Sequence, residues 1–244
     1  MSVCSFCGDY GMAGGCPSCH KDSSTPIDLS VVKNVDSFIN KCEWSLVPQE
    51  YIGVEWRREF LESEYDSLSS NGNFKRFLES CNKFHQSFKS GNPVNKSVFI
   101  FAPPRFGKER LAFSCMQMAI NKGLKVAPYL DTLDLKRLII LGGENPSYKL
   151  YGRIDYDKYI TSDVLFVSVT HTRYFKEAYG ILVELITKRS RLGHPTYVIS
   201  EYSLEELTSS SNKYVSNRWT EVSSLGLNEL KYPVVIGFRP NDYK

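Results

Sequence analysis

The 244-residue chain has no run of about 18 consecutive apolar residues, so no membrane-crossing helix is expected. Its opening residues, Met1-Ser2-Val3-Cys4-Ser5-Phe6-Cys7, have neither the positive nor the apolar region of a secretory signal. A reducing cytosol is therefore the expected compartment. Charge of one sign is not in excess: 30 Lys and Arg face 27 Asp and Glu, for a net charge of +3. That balance permits a nucleic-acid partner without arguing for one, because nucleic-acid-binding patches usually show as a larger basic surplus. Histidine is scarce, and His20, His85, His171 and His194 stand at no spacing suited to a metal-dependent hydrolase. No internal repeat and no low-complexity tract stands out. What remains is an ordinary globular composition, 42% hydrophobic and 23% charged, at a length for one large domain or a medium domain plus a small one.

Cysteine is the residue type with a pattern. In a reducing compartment the seven cysteines read as metal ligands or buried thiols before they read as disulfides. Cys4-x2-Cys7 and Cys16-x2-Cys19 are two CxxC turns separated by eight residues. Two such turns bring four thiolates to one tetrahedral centre, the geometry of a closed structural Zn²⁺ site. Gly8, Gly14, Gly15 and Pro17 let the backbone turn toward the sulfurs, and His20 is a substitute ligand beside Cys19. The alternatives are a redox pair or four unrelated thiols. A module this short, residues 1–26, buries little core, so metal would supply most of its folding free energy. A closed Cys4 site is structural, so the module is expected to bind a partner rather than do chemistry. Cys42, Cys81 and Cys115 sit in apolar or helical patterns and read as packed thiols.

The rest of the chain divides by periodicity. Lys21 to Ser30 is a polar linker, and residues 27–92 form a linker and helical segment leading into a core over residues 93–244. Val47-Pro48-Gln49-Glu50-Tyr51 reads as a turn into an extended segment. Ser69-Ser70-Asn71-Gly72-Asn73 reads as a loop, with Asn73 the candidate N-cap of a helix whose apolar face is Phe74, Phe77, Leu78, Cys81, Phe84 and Phe88. Gly91-Asn92-Pro93 ends that helix. Strands are then expected at Ser97–Phe101, Lys125–Leu130, Asp163–Val169, Thr196–Ser200 and Pro233–Phe238. Helices are expected at Lys108–Lys122, Leu133–Leu141, Phe175–Leu192, Leu204–Leu207 and Asn212–Ser224. Alternation of this kind implies an α/β fold with a parallel sheet covered on both faces.

The first strand runs into Ala102-Pro103-Pro104-Arg105-Phe106-Gly107-Lys108-Glu109. A phosphate-binding loop wants G-x-x-x-x-G-K-[ST] between a strand and a helix. There the backbone amides curl round a phosphate, the helix dipole adds to them, and the lysine reaches the outer oxygens. Here Gly107-Lys108 remains, the first glycine is Ala102, and Glu109 replaces the hydroxyl that would hold Mg²⁺. A carboxylate there repels phosphate unless it swings out or binds the metal, and Arg105 offsets part of its charge. The segment, with Pro104, Arg105, Phe106, Gly107, Lys108 and Glu109 as candidate ligands of ATP or ADP with Mg²⁺, reads either as a phosphate cradle or as a relic turn.

With this order of parts the sequence resembles the DnaC/DnaI-type helicase loaders, AAA+ proteins related to the ATP-binding subunits of IstB-type transposition systems. The N-terminal cysteine module resembles the zinc-binding adaptor of the DnaI-like branch. Leu46-Val47-Pro48-Gln49-Glu50-Tyr51 resembles the I-P-x-x-Y segment that precedes the ATPase core. The run Tyr179–Arg191, followed by Pro195-Thr196-Tyr197-Val198-Ile199-Ser200-Glu201 and Ser203-Leu204-Glu205-Glu206-Leu207, resembles the family's helix, P-T-I-I-x-[ST]-N strand and S-L-E-E-L. Ser216-Asn217-Arg218 resembles the box that supplies an arginine finger, and the chain stops soon after the last strand, as in relatives lacking a helical lid. The resemblance implies a zinc-ribbon-like module followed by an AAA+ P-loop-type core without a C-terminal lid.

The departures bear on activity. The family's acidic pair, which holds Mg²⁺ and orients the attacking water, aligns with Ser168 and Val169, and the sensor asparagine aligns with Glu201. Weak or absent ATP hydrolysis is the expectation. The resemblance implies a helicase loader or adaptor in DNA replication that binds a replicative hexameric helicase, with single-stranded DNA and further copies of itself as other partners and no membrane. Such divergence suits a bacteriophage or mobile element acting in a host cytoplasm. An active ATPase of the same family, including a transposition subunit, and a zinc-ribbon nucleic-acid binder with a scaffold core are the alternatives. Lys136, Arg137, Lys188, Arg189 and Arg191 are candidate phosphate contacts, each also readable as a solvated face. His171-Thr172-Arg173 follows the third strand, at the edge where such sheets bind ligands.

Overall fold

The computed structural model describes residues 35–131, 156–169, 182, 184–203, 206 and 234–239. The cysteine module, the helices expected at 133–141 and 212–224, Lys136, Arg137, His171, Thr172, Arg173 and Arg218 lie outside them. The described residues belong to two compact units: residues 35–93 with 105–124, and residues 94–104 with 125–239.

The first unit is helical: α1 (Val35–Trp44), α2 (Arg58–Glu64), α3 (Gly72–Lys89) and α4 (Lys108–Asn121), with 3-10 turns at Gln49–Tyr51 and Asp66–Leu68. The α3 helix buries Phe74, Phe77, Leu78, Cys81, Phe84, His85 and Phe88, the expected stripe plus His85. Its N-cap is Asn71, not Asn73: the Asn71 side chain accepts from the amides of Asn73 and Phe74, so Gly72 already lies in the helix. Two asparagines flank Gly72, and only the earlier one reaches the orphan donors of the first turn. The α4 helix buries every residue from Leu111 to Gln117 and packs on α1 and α3. The turn after Pro48 is pinned to it by Gln117, whose Oε1 accepts from the Gly53 amide at 2.6 Å and whose Nε2 donates to the Tyr51 carbonyl at 2.8 Å. Cys42, Cys81 and Cys115 are buried free thiols, and burial raises the pKa of each, that of Cys42 to about 12.

His85 is the polar member of the α3 stripe. The Trp56 amide donates to Ser114 Oγ at 3.0 Å, and Ser114 Oγ lies 2.9 Å from His85 Nε2. Ser114 Oγ thus links the Trp56 amide to the imidazole. Burial, with a smaller contribution from Lys89, lowers the His85 pKa from 6.5 to about 4, against the opposing pull of Glu55. The unfolded chain binds this proton near pH 6.5 and the folded chain only near pH 4. Stability from this group is therefore complete above about pH 7 and falls as pH drops through that window, by roughly 3 kcal/mol in total. Urea melts at pH 7 and pH 4 of the native protein and of His85→Gln measure it. The variant is expected to lose that much less on acidification; equal losses would show that His85 is not the buried base described.

The second unit holds a parallel sheet of β1 (Val98–Phe101), β2 (Phe166–Val169), β3 (Tyr197–Ser200) and β4 (Val234–Gly237), in the order β2-β3-β1-β4. The register aligns Phe101 with Ser200 and Gly237, and Ser200 with Val169. β2 and β3 are buried along their whole length, as a parallel sheet requires. The expected strand at Lys125–Leu130 is present only in part. Val126 bridges Val164 and Leu130 bridges Val167, both parallel, so the segment runs along the outer side of β2. Pro128 in its middle has no amide hydrogen to give, which keeps the ladder from closing.

Behind the sheet's amino edge a short helix, α5 (Tyr156–Thr161), meets the helical residues 184–191 through Arg189. Its guanidinium is fully buried. It donates to the Tyr159 carbonyl, to the Ile160 carbonyl at 3.4 Å, to Ser162 Oγ at 2.9 Å, to the Pro195 carbonyl at 2.7 Å and to Thr196 Oγ1 at 3.1 Å. Arg189 is thus withdrawn from the candidate phosphate contacts: it is an internal tie. Lys188 pairs with Glu184 at 2.6 Å, and Arg191 is exposed.

Candidate functional site

Within the helical unit, the second half of the candidate loop leads into α4. Gly107 is the α4 N-cap, in the left-handed region at φ 68°, ψ 17°. Its carbonyl starts the helix by accepting from the Leu111 amide at 2.9 Å. A glycine has no side chain with which to cap the first-turn amides, and any Cβ here would lie 3.3 Å from both Leu61 methyls. This is the backbone arrangement through which helix N-termini receive anions. Lys108 follows and is buried, 1% exposed, while Glu109 is half-buried.

Arg105, exposed, also has a positive φ, 69°, which is uncommon for a residue with a side chain. The contacts around it hold that shape. Phe106 is buried, with its ring stacked on Tyr65 at 4.3 Å and 13° and met edge-on by Phe74 at 6.1 Å and 87°. The Tyr65 hydroxyl donates to the Arg105 carbonyl at 3.1 Å. Sequence reasoning missed Tyr65 and Leu61 as supports of the loop; their four-residue spacing, Leu61 on α2 and Tyr65 its C-cap, is the single trace they leave. It also passed over Arg110, in the first turn of α4, whose guanidinium lies 4.6 Å from the centre of the Phe60 ring and whose pKa burial lowers.

Within the sheet unit, the carboxyl ends of the strands carry the first half of the loop. Ala102 is fully buried and its amide donates to the Ser200 carbonyl at 3.2 Å. From β1 the chain goes on to residues 125–130, beyond β2; from β3 it goes on to β4, on the opposite side of β1. Neighbouring strands whose connections leave in opposite directions mark the place where open α/β sheets bind ligands. The two positions matched to the acidic pair are the last two of β2. Ser168 and Val169 are both buried, 2% and 0% exposed, and neither carries a charge. After β3, Ser200 Oγ donates to the Val169 carbonyl at 3.3 Å and accepts from the Tyr202 amide at 2.9 Å. Glu201 is half-buried.

A reciprocal cap follows. The Ser203 amide donates to Glu206 Oε2 at 2.7 Å and the Glu206 amide to Ser203 Oγ at 3.2 Å, the capping box that opens a helix. Arg239, two residues past β4, donates to the Glu206 carboxylate and to the Glu201 carbonyl. The Ser203 bonds and Arg239 lower the Glu206 pKa, outweighing the effect of its partial burial. No cluster of three or more His, Cys, Asp or Glu placed to hold a metal occurs among the described residues.

No protein-family model and no curated protein matches the sequence. Solved structures resemble it in fold. The chain is similar to DnaI, with a TM-score of 0.47 and 12% identity over 75% of this chain and 95% of that one. It is similar to the DnaC helicase loader, with a TM-score of 0.43 and 19% identity over 70% and 92%. A candidate primosome component from Streptococcus pyogenes serotype M3 gives a TM-score of 0.51 and 12% identity over 84% of this chain and 97% of that one. At such identity the likeness is one of fold: the chain shares the α/β architecture of the streptococcal protein over nearly all of that protein's length.

Proposed function

We propose that this chain is a helicase loader or adaptor of DNA replication, an AAA+-like protein that binds a replicative hexameric helicase and helps place it on DNA. The fold shared with the streptococcal candidate primosome component carries this proposal. The sequence resemblance to DnaC/DnaI-type loaders adds to it. In this proposal the cysteine module of residues 1–26, with Cys4, Cys7, Cys16 and Cys19 as Zn²⁺ ligands, is the end that docks on the helicase. A set of four thiols suits Zn²⁺ in a closed tetrahedral site. Residues 93–244 are the AAA+-like core.

The left-handed Gly107 at the start of α4, followed by Lys108, suits a phosphate group. Pro104, Arg105, Phe106, Gly107, Lys108 and Glu109 are therefore the residues that would hold ATP or ADP. The bound nucleotide with Mg²⁺ would supply the scissile phosphoanhydride. Of the chain's own residues, Gly107 and Lys108 are suited to binding. Ser168 and Val169 offer no carboxylate for the metal or the attacking water, and Glu109 brings a negative charge where a hydroxyl is usual. Binding without efficient hydrolysis follows, with Arg218 as the candidate arginine finger toward a neighbouring copy.

The test is a pull-down of the purified chain against the replicative helicase of its source cell, alongside a steady-state ATPase assay with and without single-stranded DNA. Co-elution with the helicase, and turnover that Lys108→Ala leaves unchanged from background, are the expected results. ATP turnover abolished by Lys108→Ala would instead make it an active ATPase. Salt-sensitive DNA binding with no helicase association would favour the zinc-ribbon nucleic-acid binder.

A further inference from the structure

We infer that Tyr65 is a positioning residue for the phosphate loop, fixing the direction in which the Phe106 amide points; this rests on the nucleotide-binding part of the proposed function. Tyr65 lies outside the loop and outside any motif, just after α2. Two independent contacts join it to the loop. Its ring stacks on Phe106, and its hydroxyl donates to the Arg105 carbonyl at 3.1 Å.

The second contact has a geometric corollary. The chain has no cis peptide bond among the described residues, so the carbonyl of Arg105 and the amide hydrogen of Phe106 point in opposite directions across their shared peptide plane. Holding the carbonyl toward Tyr65 therefore turns the Phe106 amide away from Tyr65. In a phosphate cradle the amides provide the recognition, and a flipped peptide would offer a carbonyl oxygen to an anion instead. The phenol hydroxyl opposes such a flip, while the stack with Phe106 and the edge contact of Phe74 with Tyr65 keep the ring in reach. Leu61, one turn earlier on α2, packs at Gly107 and holds the other end of the same short stretch. The position of α2 thereby sets the shape of the loop.

The experiment compares the native full chain with Tyr65→Phe, which keeps the stack and removes the hydroxyl. ADP affinity is measured by calorimetry, tryptic cleavage after the exposed Arg105 by mass spectrometry, and folding by thermal melting. Tyr65→Phe is expected to weaken ADP binding about fivefold, the effect of one hydrogen bond. It is also expected to speed cleavage at Arg105–Phe106 severalfold, with a melting temperature within a few degrees of native. A purely structural role would move the melting temperature without a selective change at Arg105. Native chain and variant binding ADP equally, with equal cleavage, would overturn the inference and leave nucleotide binding standing. A native chain that binds no ADP would remove the nucleotide-binding reading. The cleavage comparison would then still decide whether Tyr65 holds the loop, equal rates overturning that as well.

Discussion

Arg189→Ala is expected to cost about 3–5 kcal/mol and to leave little folded protein at 37 °C. The size follows from where the guanidinium stands. It is completely buried, and no carboxylate touches it within hydrogen-bonding distance among the described residues. Its charge is met by dipoles: carbonyls in the last turn of α5, the Pro195 carbonyl, and the hydroxyls of Ser162 and Thr196. Helix C-terminal carbonyls carry partial negative charge and lack backbone partners in their own helix, so the arginine N–H groups meet acceptors that attract a cation. Desolvation lowers the Arg189 pKa to about 10, which still leaves it charged at neutral pH. Alanine removes the donors and leaves a void, so both costs add. Lysine is no remedy, since its three donors diverge from one point and cannot reproduce a planar fork that reaches α5 and the start of β3 together. Urea titration measures the loss. An Arg189→Ala protein within 1 kcal/mol of native would mean that solvent reaches those carbonyls.

Gly237→Ala is expected to be nearly as damaging, at about 3 kcal/mol. The reason is steric and local to the sheet. Gly237 pairs with Phe101 across the β1–β4 ladder, and an added Cβ would stand 2.0 Å from Cε1 and 2.2 Å from Cζ of that phenylalanine. The ring occupies the place of that Cβ, so it must rotate away or the strands must part. The double variant Phe101→Ala with Gly237→Ala separates these contributions. If the clash is the cause, the double variant is more stable than the sum of the single losses predicts, by 1 kcal/mol or more in a double-mutant cycle. Strict additivity would place the cause in the backbone of β4 instead.

The sequence showed clearly where burial is periodic and local. The α3 stripe needs only the recurrence of Phe74, Phe77, Leu78, Cys81, Phe84 and Phe88. β1, β2 and β3 are short runs made mostly of Val, Ile, Phe and Tyr, as buried parallel strands are. The loop between β1 and α4 is legible because Gly107-Lys108 follows a strand and opens a helix. What stayed hidden was decided by tertiary contacts. Arg189 sits in Lys188-Arg189-Ser190-Arg191, a run that reads as a solvated basic face; only the packing of α5 shows that one of its three cations is internal. His85 has the right phase for the α3 core, yet histidine is not counted when apolar positions are scored. Tyr65 follows Glu62-Ser63-Glu64, and nothing in that polar stretch announces a ring that supports a loop 40 residues later.

The capping box at Ser203 and Glu206 changes what the most specific part of the sequence likeness means. Ser203-Leu204-Glu205-Glu206-Leu207 reads like a fingerprint of a reaction, but its Glu206 carboxylate is committed to a backbone amide and to Arg239. Its work is grammatical: it marks where a helix begins and fastens that point to the end of the last strand. Such a pattern is a requirement of folding and not of turnover, so chains of different chemistry can carry it wherever a helix opens at this point. A likeness read through it is a likeness of construction, and chemistry has to be asked of other residues.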